Sequence, residues 1–239
     1  WSRGGWLGAL LGVAVVLLLR SRRAALLSLV ALMIILAGLL FGALQPELVL
    51  APIAQRLQDI PAYLGFSDLL NQPLTDENFA VQERLAHWVA AFRMWEGSPW
   101  WGVGAGNYAA IYAQVRLPFW EEPLGHAHNI YLNHLAETGL IGLVAYAVLW
   151  ISWMVWVWVR FQQAGRFRVT GLDSAVNDER AWQAALALGV LGVLVHLAVH
   201  NFFDNLFVQG IYLQIALWMA VVSILPSPEP KGQVAEPIR

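Results

Sequence analysis

The stretch AALLSLVALMIILAGLLFGAL, residues 24–44, runs for twenty-one residues without a charge or a proline. As a helix rising 1.5 Å per residue it is roughly 30 Å long, the thickness of a bilayer hydrocarbon core. Inside lipid only helices and closed barrels satisfy their own backbone, so such a run narrows the fold before any motif is read. Four further apolar stretches lie at residues 4–19, 139–159, 181–199 and 206–225. Only 13% of the chain is charged, where soluble domains carry about a quarter. The expected fold class is all-α: a polytopic membrane protein of about five transmembrane helices with a large, partly helical extracytoplasmic loop. The first stretch is short, and the chain opens at Trp1 inside it with no charged leader region. It reads as the clipped end of a span, and the chain as a fragment.

Arginine placement gives the expected orientation. Arg20, Arg22 and Arg23 crowd the first link, and Arg160, Arg166, Arg168 and Arg180 flank the link between the third and fourth spans. Positive residues favour the cytoplasmic side. The segment 45–138 then lies outside, and it holds ten acidic residues against four arginines. The expected domains are residues 1–44, two spans with an Arg-rich cytoplasmic link; 45–138, an extracytoplasmic subdomain carrying the active site; 139–225, three spans; and 226–239, a disordered cytoplasmic tail. The thirteen tryptophans, among them Trp100, Trp101, Trp150, Trp153, Trp156 and Trp158, suit an interfacial aromatic belt. With no cysteine, the chain has neither disulfides, nor thiolate catalysis, nor a Cys-ligated metal.

Within the outer segment, FAVQERLAHWVAAFRMWE (residues 79–96) has no glycine or proline and reads as a helix capped by Asp76 or Asn78. At 100° per residue Val81, Arg84, Trp88, Ala91, Phe92 and Trp95 share a face, which sets Arg84 in an apolar stripe. A guanidinium keeps its charge, so Arg84 meets an anionic ligand, pairs with a nearby carboxylate or reaches out to water. Arg93, three residues before Glu96, reads as half of a surface pair. The glycines of SPWWGVGAGNY suit a tight turn back to the bilayer better than a phosphate loop, which needs a strand before it.

GHAHNIYLNHLAETGLIG, residues 125–142, then brings His126, His128, His134 and Glu137 to the edge of the third span. Asn129 can cap the helix that begins here, leaving His128 at its mouth, while His134 and Glu137 share a later face. A metal held by these four is the weaker reading, because the six-residue step from His128 to His134 divides them between faces. Further on, HLAVHNFFDN puts His200 and Asp204 at the outer ends of the last two spans, for a substrate path or for hydrogen bonds between helices.

Together these segments resemble the O-antigen ligase superfamily of bacterial membrane glycosyltransferases, which includes O-antigen polymerases and protein O-oligosaccharyltransferases. His128-Asn129, nine residues, then Gly139-Leu140-Ile141-Gly142 is similar to the family's His-Asn and Gly-x-x-Gly signature. The run ERLAHWVAAFRMWEGSPWWGVGAGNY resembles its Arg, Trp and Pro-x-x-Gly-x-Gly-x-Gly-Asn element, and Ser2-Arg3-Gly4 a helix opening. The chain looks like the C-terminal half of such proteins. The resemblance implies metal-independent, inverting transfer of a glycan from an undecaprenyl diphosphate carrier to an acceptor hydroxyl at the outer face of the bacterial inner membrane. His128 would be the general base, and Arg84 and Arg3 would hold the diphosphate. Asn129, Glu137, Arg116 and His200 are the substrate-binding candidates. The implied partners are the lipid-linked donor, a glycan, lipid or protein acceptor, and membrane lipid. No cofactor, metal or nucleic acid is expected. A transporter subunit is the alternative from another class, but it calls for polar groups deep in the spans, which are almost free of them. A zinc-dependent hydrolase is the third reading.

Overall fold

The computed structural model describes residues 3–44, 70–76, 78–165 and 174–225, and among these every regular element is helical. In chain order they are α1 (Arg3–Arg20), α2 (Arg22–Leu44), α3 (Phe79–Gly97), α4 (Tyr108–Val115), α5 (Ile130–Gly165), α6 (Ser174–His200), a 3-10 turn (Leu206–Gln209) and α7 (Ile211–Ser223). Residues 45–69, Arg166, Arg168 and the proposed tail 226–239 lie outside the described residues, as does the side chain of Arg3.

Among the described residues two helices are long and apolar enough to cross a membrane, over Ile130–Ala164 and Asp178–His200, and two shorter apolar helices accompany them. Only 17% of the most apolar window of α5 is buried within the molecule, whereas the core helix of a soluble protein would be mostly covered. Val144, Val148, Ile151 and Val155 form part of its exposed surface. This is a helical membrane protein.

Three glycines explain the closest packing. Gly4, Gly8 and Gly12 stand one turn apart along α1, all buried, against the end of α6 and the turn that follows it. A Cβ on Gly8 would lie 2.6 Å from the carbonyl oxygen of His196, one on Gly12 2.6 Å from that of Gly192, and one on Gly4 2.6 Å from Phe203 Cβ. The helices are therefore antiparallel and touch backbone to backbone, the close approach that small residues permit between apolar helices. The seam also sets the Arg3 end of α1 beside Phe203, next in sequence to Asp204.

Several sequence expectations change. The apolar stretch 206–225 is not one helix: Gly210, at φ 75°, ends the 3-10 turn and begins α7, whose thirteen residues reach only about 20 Å. Trp150 is core rather than interface, 6% exposed in the cluster with Leu191, Leu194 and Leu197, and Trp153, Trp156 and Trp158 pack against that cluster. The guanidinium of Arg160 donates to the Leu225 carbonyl, joining the far ends of α5 and α7. Asn78 occupies the N-cap position of α3, but its side chain turns backward and accepts from the Thr75 N–H at 2.9 Å instead of capping the helix.

α5 contains a break at Gly139, with φ 66° and ψ −166°, a conformation essentially restricted to glycine. The carbonyls orphaned before it and the N–H groups orphaned after it are both met by the segment Pro99 to Gly104. Val103 and Gly104 N–H donate to the Ala136 and Glu137 carbonyls, each at 2.9 Å, and Leu140 N–H donates to the Pro99 carbonyl at 2.9 Å. The glycine loop is thus a plug in a broken helix, which accounts for two of the glycine elements of the sequence at once.

Candidate active site

α3 buries Leu85, Ala86, His87, Ala90, Ala91 and Met94. In the stripe expected from the helical projection only Ala91 is buried; Arg84 lies at the margin of the packed face. Arg93 does not pair with Glu96 but donates to the Val115 carbonyl at 2.8 Å, closing the C-terminus of α4. The other end of α4 is met by Glu137, whose carboxylate accepts from the Tyr108 N–H at 3.1 Å, a favourable place for a negative charge. Glu137 therefore holds the glycine plug to α5.

His87 was not singled out by its spacing, although it follows Arg84 by one turn. It is 1% exposed, its ring stacks on Tyr112 with centroids 4.7 Å apart, and it meets the His128 ring edge-on at 5.6 Å. The Tyr108 hydroxyl donates to the His87 carbonyl at 3.0 Å. A phenol has one hydrogen, so the 3.1 Å contact to His87 Nδ1 is made by the imidazole N–H donating to that oxygen. Burial, then the neighbouring His128 and His126, lower the His87 pKa from 6.5 to about 4. His87 is consequently a neutral wall of the site at ordinary pH. The unfolded chain binds this proton near pH 6.5 and the folded chain resists it down to about 4, so the stabilisation is complete above 6.5 and declines as pH falls through that window. In His87→Asn, which can retain the donor to Tyr108, thermal unfolding should show a shallower loss of stability between pH 6.5 and 4; an unchanged slope would contradict the neutral, buried role. His126, whose pKa burial also lowers, keeps the remaining slope from vanishing.

His128 adopts φ +50°, rare for a residue with a side chain and a form of strain found at functional sites. Its conformation is held from several directions. His126 Nδ1 accepts from the His128 N–H at 3.1 Å, Asn133 Oδ1 accepts from the Ala127 N–H at 3.1 Å, and Asn129 Oδ1 caps α5 through the Tyr131 and Leu132 N–H groups at 2.9 and 3.1 Å. The Ile130 N–H donates to the Asn201 carbonyl at 3.0 Å and the Tyr131 hydroxyl to the Ala198 carbonyl at 2.7 Å, pinning the histidine loop to the end of α6.

That docking brings His128 Nδ1 to 3.5 Å from Asp204 Oδ1. The distance is that of an ion pair and long for a hydrogen bond, and both ring nitrogens of His128 are buried without a hydrogen-bond partner. The facing His128 ring, with the Asn205 N–H and the charge of Arg84, holds the Asp204 carboxyl down to about 2 against the opposing effect of burial. Burial first, then His128, lowers the His126 pKa, with Asp204 opposing. Arg84 is within electrostatic reach of Asp204 and His200. Its Nη1 makes a long 3.4 Å contact to the Ala80 carbonyl, its buried Nε has no partner, and among the described residues no carboxylate pairs with it.

The other sequence candidates divide. His200 ends α6 beside His196, their ring centroids 5.5 Å apart. Arg116 is engaged locally, 3.2 Å from Glu121 and donating to the Pro118 carbonyl at 2.8 Å. His134 lies on Tyr146, centroids 4.5 Å apart. Among the described residues the grouping able to hold a metal is therefore His126, His128 and Asp204, without His134 or Glu137.

The family model described as O-antigen ligase matches residues 1–147, from α1 through the histidine loop and the Gly139 break. The chain belongs to the O-antigen ligase family. It is accordingly an integral membrane enzyme of the O-antigen ligase and polymerase superfamily, whose members work on a lipid-linked glycan donor and an acceptor. No curated protein matches the chain. The O-antigen ligase match ends inside α5, so Asp204, the carboxylate facing His128, lies beyond the matched residues.

Proposed function

We propose that the protein transfers a glycan from an undecaprenyl diphosphate carrier to an acceptor hydroxyl, with inversion and without a metal, at the outer face of the bacterial inner membrane. The observation that carries this reading is the His128–Asp204 contact with Arg84 beside it. The acceptor oxygen attacks the anomeric carbon, its proton passes to His128 Nε2, and the bond from the sugar to the diphosphate breaks with its electron pair leaving on the phosphate oxygen. Asp204, on the Nδ1 side, fixes the imidazole and stabilises its charged form, a division of labour familiar from base and carboxylate pairs. Arg84 and Arg3 receive the departing diphosphate, and among the described residues Arg84 comes to it without an ion-paired carboxylate. Asn129 shapes the His128 loop by its cap, while Glu137, Arg116 and His200 border the substrates. In this reading the long apolar helices cross the membrane with the short α7 completing the bundle, residues 45–138 are extracytoplasmic, and residues 226–239 end in the cytoplasm.

Purified full-length protein, given a polyprenyl-diphosphate-linked glycan and a hydroxyl acceptor, should release one carrier diphosphate for each glycan joined. Donor passing intact across a sealed vesicle, with none consumed, would favour the transporter reading. Arg84→Ala should reduce transfer by about 10- to 100-fold, the value of one or two hydrogen bonds to a charged group. Arg84→Lys should fare nearly as badly, since an ammonium lacks the planar fork. Near-normal transfer by the lysine variant would remove Arg84 from the diphosphate site.

A further inference from the structure

We propose that His126, His128 and Asp204 form a binding site for a zinc-class divalent metal ion, and that an ion bound there shuts off transfer. One ligand atom from each of the three lies within 4.8 Å of the others, and the His128 Nδ1 to Asp204 Oδ1 edge is 3.5 Å. Four ligands about 2.1 Å from a tetrahedral ion stand about 3.4 Å apart, so one edge already has the required length and the others, within 4.8 Å, close with a shift of at most about 1.4 Å. The second observation is independent of that spacing. Both nitrogens of the His128 ring are buried with no hydrogen-bond partner, and a metal would satisfy one of them. The rings of His126 and His128 already lie in edge-on contact, centroids 4.4 Å apart at 67°. Two imidazoles and one carboxylate suit zinc and its neighbours; magnesium and calcium favour oxygen ligands.

The inhibitory half of the proposal rests on His128 being the general base. A metal on Nδ1 takes that lone pair, so the single ring hydrogen resides on Nε2 and the ring cannot accept the proton of the acceptor hydroxyl. It also draws Asp204 away from its orienting role. Arg84 is the opposing charge in reach of Asp204, and it weakens the site without filling it.

The test uses the full-length membrane protein, free of any histidine tag, in detergent or nanodiscs. Equilibrium dialysis against Zn²⁺ alone, followed by metal analysis, should find about one ion per chain. His126→Ala and His126→Asn should each weaken binding by about tenfold or more, the alanine testing ligand loss and the asparagine preserving a polar side chain for folding. Zn²⁺ should inhibit wild-type transfer, and its midpoint should move by the same factor in either variant, measured against that variant's own metal-free rate. Binding unchanged in both His126 variants and in Asp204→Asn would overturn the site while leaving His128 as base intact. Binding lost in the variants but without inhibition of the wild type would overturn the blocking step and count against the base assignment itself. Stimulation by Zn²⁺ would overturn inhibition and favour the metal-assisted reading.

Discussion

His128→Ala should lower glycan transfer by about 10²- to 10⁴-fold, the usual contribution of a general base, while binding of the carrier lipid changes little. The reason lies in where the ring is held. A left-handed backbone, a long contact to Asp204 and two buried nitrogens without hydrogen bonds describe a side chain kept ready for something absent from the folded chain itself. His134→Ala should do far less, because His134 packs on Tyr146 and not on the site. His126→Ala should fall between them, since it removes the acceptor of the His128 N–H. Single-turnover transfer and a separate carrier-binding measurement distinguish chemistry from binding. If all three histidine variants fell equally and a chelator abolished wild-type transfer, a catalytic metal would replace the base.

Gly139→Ala should damage the protein more broadly. The backbone there is one that residues with a Cβ avoid, and the new atom would lie 2.3 Å from the carbonyl carbon and oxygen of Trp100. Neither partner is a flexible side chain, so the plug must leave the break, taking with it the hydrogen bonds from Val103 and Gly104 to the carbonyls of α5. Strain and overpacking together suggest about 3 to 5 kcal/mol, a large part of the stability of an ordinary domain. Thermal unfolding followed by tryptophan fluorescence should show a large fall in Tm, accompanied by loss of transfer. Gly97→Ala is the contrast: no atom lies within 4 Å of its Cβ position and its φ is not positive, so its Tm should hold or rise slightly. Equal losses in the two variants would mean that the plug is not what stabilises this region.

The residues identified from sequence and those identified only in the fold differ in how local their physics is. An apolar run must satisfy its own backbone in lipid, so helices at 3–20, 22–44, 130–165 and 174–200 follow from the chain with little help from neighbours. The helix 79–97 follows from a run without breakers, and the cap of Asn129 from one side chain reaching N–H groups two and three residues ahead. His128 and Arg84 were legible because a signature marks them. Other features required the tertiary structure. A hydrophobic pattern assigns Trp150 to an apolar helix but cannot say which side meets α6, and the same limit applies to the buried face of α3. Gly210 interrupts an apolar stretch that hydropathy treats as continuous. The glycines of the plug read as a turn and Gly139 as the start of a span until the two segments fill one another's unmet hydrogen bonds. His87 needed Tyr108 and Tyr112 to become a buried neutral wall, and Asp204 needed α1 and the end of α6 to bring it to His128. Sequence determined most of the long helices and which groups carry charge; the packing of distant segments decided which of those groups meet, because that depends on close approach between surfaces and not on the chemistry of any one of them.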